Sequence, residues 1–521
     1  MIHVTNLKKE IGTRTLFEIE ELTINSKGRI GLIGDNGVGK TTFFNILIGK
    51  DTDYSGFVDV QVPVASLLIE ERPSHIESSY SPGEYQRVRI SQILAHEAAF
   101  LLIDEPTSHL DIKQKDLLVA QLKNRRLGYL LISHDRDFIN QTCDTIFELI
   151  NGKLEVYNGD YTVYLAERVK RRIFAQREYE AYISEKKRLS NVAQDIKSQS
   201  AKIRTTPKRM GNSEARLHKM GGQSNKKKLD KQVKAIESRI EHLEVKEKPK
   251  DDVPIELTMD EKDKIFSKIL VSAEDLTKCM GDGNKRLFDH AHVEIKNNRK
   301  YALIGDNGSG KTTLLNMILN RELWVHPNVK IGYYSQLGEI IDVDKTILDN
   351  VLEDSIYEQT ITRIVLAQLG FTQEDVFKRV TVLSDGERAK VKLAKLLTAD
   401  FNFLVLDEPT NYLDIRAIEA LETLLKGYDR PLLFVTHDVS FINHIADGLL
   451  IIDQQKINHF DGNLEQYKQS KARVKRHSND LLLDFRLTAI NNRLAADISK
   501  EERTALLFEY DQLMKQRANK P

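Results

Sequence analysis

The sequence predicts an α/β chain built from two copies of one domain, joined by a helical hairpin and followed by a helical C-terminal extension. Three observations carry that expectation. A glycine-rich phosphate-loop pattern occurs twice, from Ile33 to Thr42 and from Ile304 to Thr313, each time after an apolar strand-like run and before a helical pattern. An apolar run ending in two acids also occurs twice, from Phe100 to Glu105 and from Phe403 to Glu408. Between the copies, residues 166–250 hold 24 Lys plus Arg against 11 Asp plus Glu, in a chain that balances at 77 of each. Internal repetition of this kind decides the architecture before any single motif does.

The 521 residues are too many for one core and suit about two or three domains. No apolar run reaches the ~18 residues of a membrane span, and Met1 is followed by no basic region with an apolar core. The expectation is a cytoplasmic protein. Two cysteines, Cys143 and Cys279, exclude a disulfide framework or a thiolate cluster and read as two small buried hydrophobes.

Residues 1–165 form the first domain. Its phosphate loop supplies Gly34, Asp35, Asn36, Gly37 and Gly39, whose backbone N–H groups converge on phosphates at a helix N-terminus. Lys40 is placed to reach the β/γ-phosphates, and Thr41, followed by Thr42, to ligate Mg²⁺. Asp104 and Glu105 close a buried strand at its carboxyl end, where α/β sheets bind ligands. Asp104 is expected to hold Mg²⁺ and Glu105 to orient or activate the attacking water. His134 follows another apolar strand, 30 residues after Asp104. Ser81 and Glu84 fit a capping box heading a basic, periodic segment, which is a structural role compatible with anion binding.

Residues 166–250 form the linker. Leu189, Val192, Ala193 and Ile196, and then Leu229, Val233, Ile236, Ile240 and Leu243, follow the periodicity of packed helices. Pro207, Gly211, Gly221 and Gly222 reverse the chain between them. The tip carries Lys208, Arg209, Arg216, His218, Lys219, Lys226, Lys227 and Lys228, a basic set suited to a polyanion. A solvated linker that only spaces the domains is the plainer alternative.

Residues 251–470 repeat the first plan. Gly305, Asp306, Asn307, Gly308, Gly310, Lys311, Thr312 and Thr313 form the second loop. Asp407 with Thr312 is expected to form the second metal pair, Glu408 is placed to orient or activate the second attacking water, and His437 stands 30 residues after Asp407. Ser384 and Glu387 give a second capping box. The copies are offset by 271 residues at the phosphate loop and by 303 at the later motifs, so the second carries 32 extra residues between them. Residues 471–521 carry an apolar stripe through Leu487, Ile490, Leu494 and Ile498, expected as a packing helix.

The ordered set of motifs, found twice, resembles tandem nucleotide-binding domains of the ATP-binding cassette class: Walker A, a signature (Tyr80 to Glu84; Leu383 to Glu387), Walker B with its Glu, a D-loop (Leu110, Asp111; Leu413, Asp414) and a switch His. The resemblance implies two ATPs sandwiched head to tail. Site one would pair Lys40, Thr41, Asp104, Glu105 and His134 with Ser384 and Gly386; site two would pair Lys311, Thr312, Asp407, Glu408 and His437 with Ser81 and Gly83. Gln336 resembles the Q-loop residue of the second domain. ATP and Mg²⁺ are the implied cofactors.

The stretches from Glu105 to Asp111 and from Glu408 to Asp414 are similar to the motif of the ABC-F branch, whose members bind ribosomes. The long breaker-rich tip, the C-terminal extension and the shortened first domain resemble the Vga-like antibiotic-resistance proteins. That implies protection against lincosamides, pleuromutilins and streptogramin A, with the hairpin entering the 70S exit site toward 23S rRNA and the P-site tRNA. Off the ribosome the resemblance suggests a monomer. A housekeeping ABC-F translation factor and the ATPase subunit of a drug exporter are the alternatives. This chain departs from the pattern in its first domain: Glu70 and Ser81 are 11 residues apart against 48 for Gln336 and Ser384, Glu70 stands for Gln, and Pro82 and Asp385 stand for the first signature Gly. No adenine-stacking aromatic is assigned near Ile11 or Met280.

Overall fold

The computed structural model describes residues 1–67, 82–96, 99–108, 110–203, 211, 213–214, 223–246, 257–258, 265–280, 285–335, 340–471, 490, 493, 508–510 and 512. Two compact units are present: Met1–Val156 together with Pro254–Pro521, and Tyr157–Val253. The larger unit holds both copies of the repeated domain.

The first copy contains β1 (Ile2–Ile11), β2 (Arg14–Ile24), β3 (Arg29–Gly34), β4 (Ser55–Val60), β5 (Val64–Leu67), β6 (Phe100–Asp104), β7 (Tyr129–Ile132), β8 (Thr145–Ile150) and β9 (Lys153–Asn158). They form one sheet in the order β4-β1-β2-β9-β8-β3-β7-β6-β5. Its centre, β8-β3-β7-β6-β5, is parallel. Every residue of β6 and β7 is buried, as expected of parallel strands covered on both faces. Four helices accompany them: α1 (Lys40–Leu47), α2 (Pro82–Leu94), α3 (Ile112–Lys123) and α4 (Arg136–Thr142).

The smaller unit is helical. Helix α5 (Tyr161–Lys202) runs 42 residues, about 63 Å at ~1.5 Å per residue, and packs against α6 (Gln223–Glu241). It begins five residues before the 166 taken from composition, because the Asp160 carboxylate accepts from Val163 N and caps it there. Leu189, Ala193 and Val233 are buried along the seam, and Ser200 Oγ donates to Asp230 Oδ1 at 2.6 Å. Val192, expected in the seam, is instead 37% exposed.

The second copy splits its strands between two sheets. Three, β10 (Ile269–Met280), β11 (Lys285–Lys296) and β13 (Trp324–Val325), pair antiparallel in the order β11-β10-β13. The other sheet contains β12 (Lys300–Gly305), β14 (Ile331–Tyr334), β15 (Phe403–Asp407), β16 (Leu432–Val435), β17 (Gly448–Asp453) and β18 (Lys456–Asp461), in the order β14-β15-β16-β12-β17-β18. Its helices are α7 (Lys311–Leu319), α8 (Ile347–Leu352), α9 (Gln359–Gln368), α10 (Asp385–Thr398), α11 (Ile415–Lys426) and α12 (Val439–Ile445). The 32 extra residues fall where α8 and α9 stand. In the first copy α2 is the one described helix between β5 and β6.

Among the described residues no helix is long and apolar enough to cross a membrane. Cys143 is buried, but Cys279 is exposed, contrary to the expectation of two buried thiols. Of residues 471–521, Lys471, Ile490, Arg493, 508–510 and Gln512 are described and helical; the remainder of the expected extension lies outside the described residues.

Candidate functional site

Each phosphate loop joins the end of a buried central strand, β3 or β12, to the start of a helix, α1 or α7. Gly39 and Gly310 cap these helices at φ 104°. A Cβ at Gly39 would lie 2.7 Å from Leu16 Cδ2, and one at Gly310 would lie 2.9 Å from Phe288 Cζ. The second strand of each domain thus presses on the loop, and glycine is the residue that fits.

Lys40 Nζ donates to the carbonyls of Gly34 and Asp35 at 2.8 and 2.9 Å, and Lys311 Nζ to those of Gly305 and Asp306 at 2.8 and 3.2 Å. Burial pulls Lys40 below the ordinary lysine value against the charges of Glu105, Asp414, Asp104 and Asp35. Lys311 is lowered likewise, against Glu408, Asp111, Asp306 and Asp407. In both, one opposing charge comes from the other domain.

Thr41 Oγ1 donates to Asp104 Oδ2 at 3.0 Å. Burial raises the Asp104 carboxyl, with the Thr41 hydroxyl and Lys40 opposing, and it raises Asp407, with Lys311 and the Tyr333 hydroxyl opposing. Two carboxylates, Asp104 buried and Asp407 half-buried, each on a strand end beside a Thr-bearing loop, suit a hard, oxygen-seeking cation such as Mg²⁺.

Glu105 and Glu408 turn away from their strands at φ 47° and 51°, a left-handed conformation uncommon outside glycine. Such strain persists where the surroundings impose it. Here it is held by Glu105 N donating to Ile132 O and Glu408 N to Val435 O, both at 2.9 Å. Each carboxylate meets its histidine: His134 Nε2 is 3.6 Å from Glu105 Oε1 and His437 Nε2 is 3.5 Å from Glu408 Oε1. Burial and the adjacent Asp104 push Glu105 up to about 8; burial and Asp407 push Glu408 up to about 7. Burial and the Lys40 charge push His134 down to about 3, so its imidazole is neutral. Glu105 Oε1 and His134 Nδ1 are shielded from solvent without a hydrogen-bond partner. A polar reactant between the loop and these side chains would satisfy them, so the residues fit a nucleotide phosphate with its water.

Across the domain boundary the contacts are reciprocal. Asn36 N donates to Asp414 Oδ2 at 3.4 Å, and Asn307 N to Asp111 Oδ2 at 3.3 Å. The same carboxylates cap α11 and α3 through Ala417 N and Gln114 N. Arg416 reaches Asp35 at 3.2 Å, and Lys113 reaches Asp306 at 2.6 Å. Gly386, buried near the start of α10, is packed so that a Cβ would lie 2.8 Å from Tyr412 O and 3.0 Å from Asn36 Nδ2. Ser384 caps α10 in a box with Glu387. The first domain's loop and the second domain's signature are therefore neighbours. For the mirror pair, Gly83 lies in α2, while Ser81 lies outside the described residues, as do Gln336, Lys208, Arg209, Arg216, His218 and Lys219. Lys226, Lys227 and Lys228 stand in the first turns of α6, the latter two exposed.

The motifs did not disclose a buried charge cluster where α3 and α4 meet α11 and α12. Lys115 Nζ pairs with Asp135 and donates to His437 O at 2.9 Å. Arg136 pairs with Glu422 and lies 3.9 Å from Asp438 Oδ2; His444 Nδ1 is 2.9 Å from Glu422 Oε2. Comparison of the copies would have flagged it: at the 303-residue offset Lys115, Arg136 and Glu422 face Ile418, Val439 and Val119. Charge stands where the other copy is aliphatic.

A family model described as ABC transporter matches residues 19–66 and 288–411. The chain is 31% identical over 493 residues to the ribosome protection protein VmlR of Bacillus subtilis, covering 88% of this chain and 87% of that one. It is 33% identical over 456 residues to the erythromycin resistance ATP-binding protein MsrA of Staphylococcus epidermidis, covering 82% and 93%. Among solved structures, that of archaeal ribosome recycling factor aABCE1 with stalk protein aP1 superposes with a TM-score of 0.58 at 18% identity, covering 89% and 92%, a likeness of fold.

Proposed function

Because the chain belongs to the ABC-F family of ATP-binding cassette ATPases, we propose that it is a cytoplasmic ATPase that binds the 70S ribosome and protects it from antibiotics acting at the peptidyl-transferase centre. The observation that carries the ATP-driven part is the reciprocity of Asn36 with Asp414 and Asn307 with Asp111. Each phosphate loop is finished by the other domain, so nucleotide and domain closure favour one another. The ribosomal part is supported by the long basic hairpin and by the similarity to a protein named for ribosome protection.

In this reading two composite sites form. Site one joins Gly34 to Thr42, Asp104, Glu105 and His134 to Ser384 and Gly386; site two joins Gly305 to Thr313, Gln336, Asp407, Glu408 and His437 to Ser81 and Gly83. Lys40 and Lys311 exchange their loop carbonyls for β/γ-phosphate oxygens. Thr41 with Asp104, and Thr312 with Asp407, would hold Mg²⁺, which when bound would offset phosphate charge. Glu105 and Glu408 orient the attacking water and accept its proton, and His134 and His437 steady the γ-phosphate side. The closed, two-ATP form holds the ribosome, and hydrolysis releases it. The hairpin enters from the exit site, where its lysines and arginines meet 23S rRNA and the P-site tRNA phosphates. Lincosamides, pleuromutilins and streptogramin A are the drugs expected to be displaced, and erythromycin joins the panel because one relative is named for resistance to it.

The test is translation by purified ribosomes under each drug, with the protein and ATP added and the Glu105→Gln/Glu408→Gln form as control. Rescue by the wild-type chain with ribosome trapping by the double variant supports protection. Binding and trapping without rescue assigns a housekeeping ABC-F role instead. Absence of ribosome binding, with a tight complex to an integral membrane protein, assigns an exporter ATPase.

A further inference from the structure

The two switch segments, Ser133–Asp135 and Thr436–Asp438, are built alike locally. In each, the hydroxyl accepts from the aspartate N–H, at 3.1 Å for Ser133 and 3.2 Å for Thr436, and the aspartate caps the next helix through Phe138 N or Phe441 N. Their charged surroundings are not alike. Asp135 is paired by Lys115 of its own domain. The second segment is approached by two cations of the first domain: Lys115 donates to the carbonyl of His437, and Arg136 lies 3.9 Å from Asp438 while anchored on Glu422. Among the described residues no cation of the second domain is hydrogen-bonded to the first segment, whose His134 feels Asp414 and Lys390 only through space; the offset positions in the second domain are Ile418 and Val439. The side chains of Lys115, Arg136, Asp438 and Glu422 are 7 to 12% exposed, so these interactions are sheltered from bulk water.

We propose that Lys115 and Arg136 form a one-sided clamp, through which domain 1 positions the His437 segment of domain 2 only when the domains are closed, while the His134 segment is fixed within its own domain. Lys115 and Arg136 are positioning residues in this scheme; they touch no nucleotide. Regulation is then unequal: both sites need closure, but turnover at site two depends in addition on the clamp, and turnover at site one does not. The consequence for turnover rests on the reading of His437 as the switch residue of site two.

The test separates the clamp from that reading. Lys115→Met combined with Asp135→Asn removes the cation without leaving a buried charge, and Asn still caps α4. Hydrogen–deuterium exchange is measured on the full chain with a non-hydrolysable ATP analogue. Against Asp135→Asn alone, which already breaks the pair in the His134 segment but keeps Lys115 for the His437 carbonyl, the double variant should exchange amides of 434–438 about tenfold faster and those of 131–135 within about twofold. Lys115→Arg with Asp135 intact should restore protection. Unchanged exchange at 434–438, or equal loosening of both segments, overturns the clamp. ATP turnover of the double variant is then read in a Glu105→Gln background, which leaves site two, and a Glu408→Gln background, which leaves site one. Relative to Asp135→Asn in the same background, a loss of about tenfold in the first and under about twofold in the second is expected. Selective loosening at 434–438 with unchanged site-two turnover sustains the clamp and instead overturns the role given to His437.

Discussion

Replacing Arg136 by Met should weaken domain closure far more than its single position suggests. Arg136 and Glu422 are each 7% exposed and face each other across the domain boundary, so removing the guanidinium strands a carboxylate in a sheltered place. Breaking a buried pair in this way costs about 3–5 kcal/mol. Glu422 keeps one donor, His444 Nδ1 at 2.9 Å, on a side chain that is half exposed and free to adjust, which offsets part of the loss. A net cost of about 2–3 kcal/mol remains, or about 30- to 150-fold in the closure equilibrium. A donor–acceptor dye pair, one on each ATPase domain, reads closure as ATP is titrated. The midpoint should move by that factor, and Glu422→Leu in addition should recover most of it, because the pair is then replaced by apolar contact. A shift under about threefold for Arg136→Met, or a double variant as impaired as the sum of the singles, would refute the argument.

Other perturbations test separate parts of the structure. Arg416→Met should raise the ATP concentration needed at site one several-fold, because it loses both Asp35 and the buried Glu148, each at 3.2 Å. Lys113→Met should change site two by less than about twofold, since its partner Asp306 is itself exposed; equal effects in single-site ATPase titrations would contradict this. Burial, with the Asp135 charge adding to it, holds Asp438 up to about 6, against the opposing Arg136. An acid whose folded value is raised costs stability as pH climbs from its unfolded value near 4 through the folded one. Asp438→Asn should therefore raise the unfolding midpoint at pH 7 and leave it nearly unchanged at pH 4, a gain of about 1–3 kcal/mol after allowing for the weakened cap; a loss at pH 7 would show that the Arg136 contact outweighs burial. In the hairpin, Leu189→Ala should cost about 2–4 kcal/mol of local stability, seen as faster amide exchange along α5 and α6; unaltered exchange would place the seam elsewhere.

The placement of the phosphate-loop motifs was legible because such a loop demands fixed residue types at fixed spacing. The loops from Gly34 to Thr42 and from Gly305 to Thr313, the strand-end acids and the two histidines stand on the expected strands and turns. The helical seam was legible for a different reason, since Leu189, Ala193 and Val233 must recur on one face to pack. What the sequence hid is tertiary. Arg136 and Glu422 are 286 residues apart, and Lys115 and the His437 carbonyl 322, distances at which no local periodicity operates. The left-handed backbone at Glu105 and Glu408 was equally hidden, because glutamate carries no propensity for it. So was Tyr333 beside Asp407, which has no tyrosine counterpart in β5. The split of the second copy's strands into two sheets follows from pairing partners that residue pattern alone does not choose.

The one-sided placement of Lys115 and Arg136 is closed to a symmetric pair of identical subunits. Two identical subunits meeting about a dyad must each present the same residue, so a buried guanidinium close to the axis would meet its own copy and be repelled. Joining the copies in tandem removes that constraint, and Arg136 can face the Glu422 carboxylate while its counterpart is an uncharged Val439. The inequality of the two halves thereby gives the contact a handedness: one half supplies the cations and the other receives them. A homodimer assembled from either half alone would have no means of telling its two strokes apart.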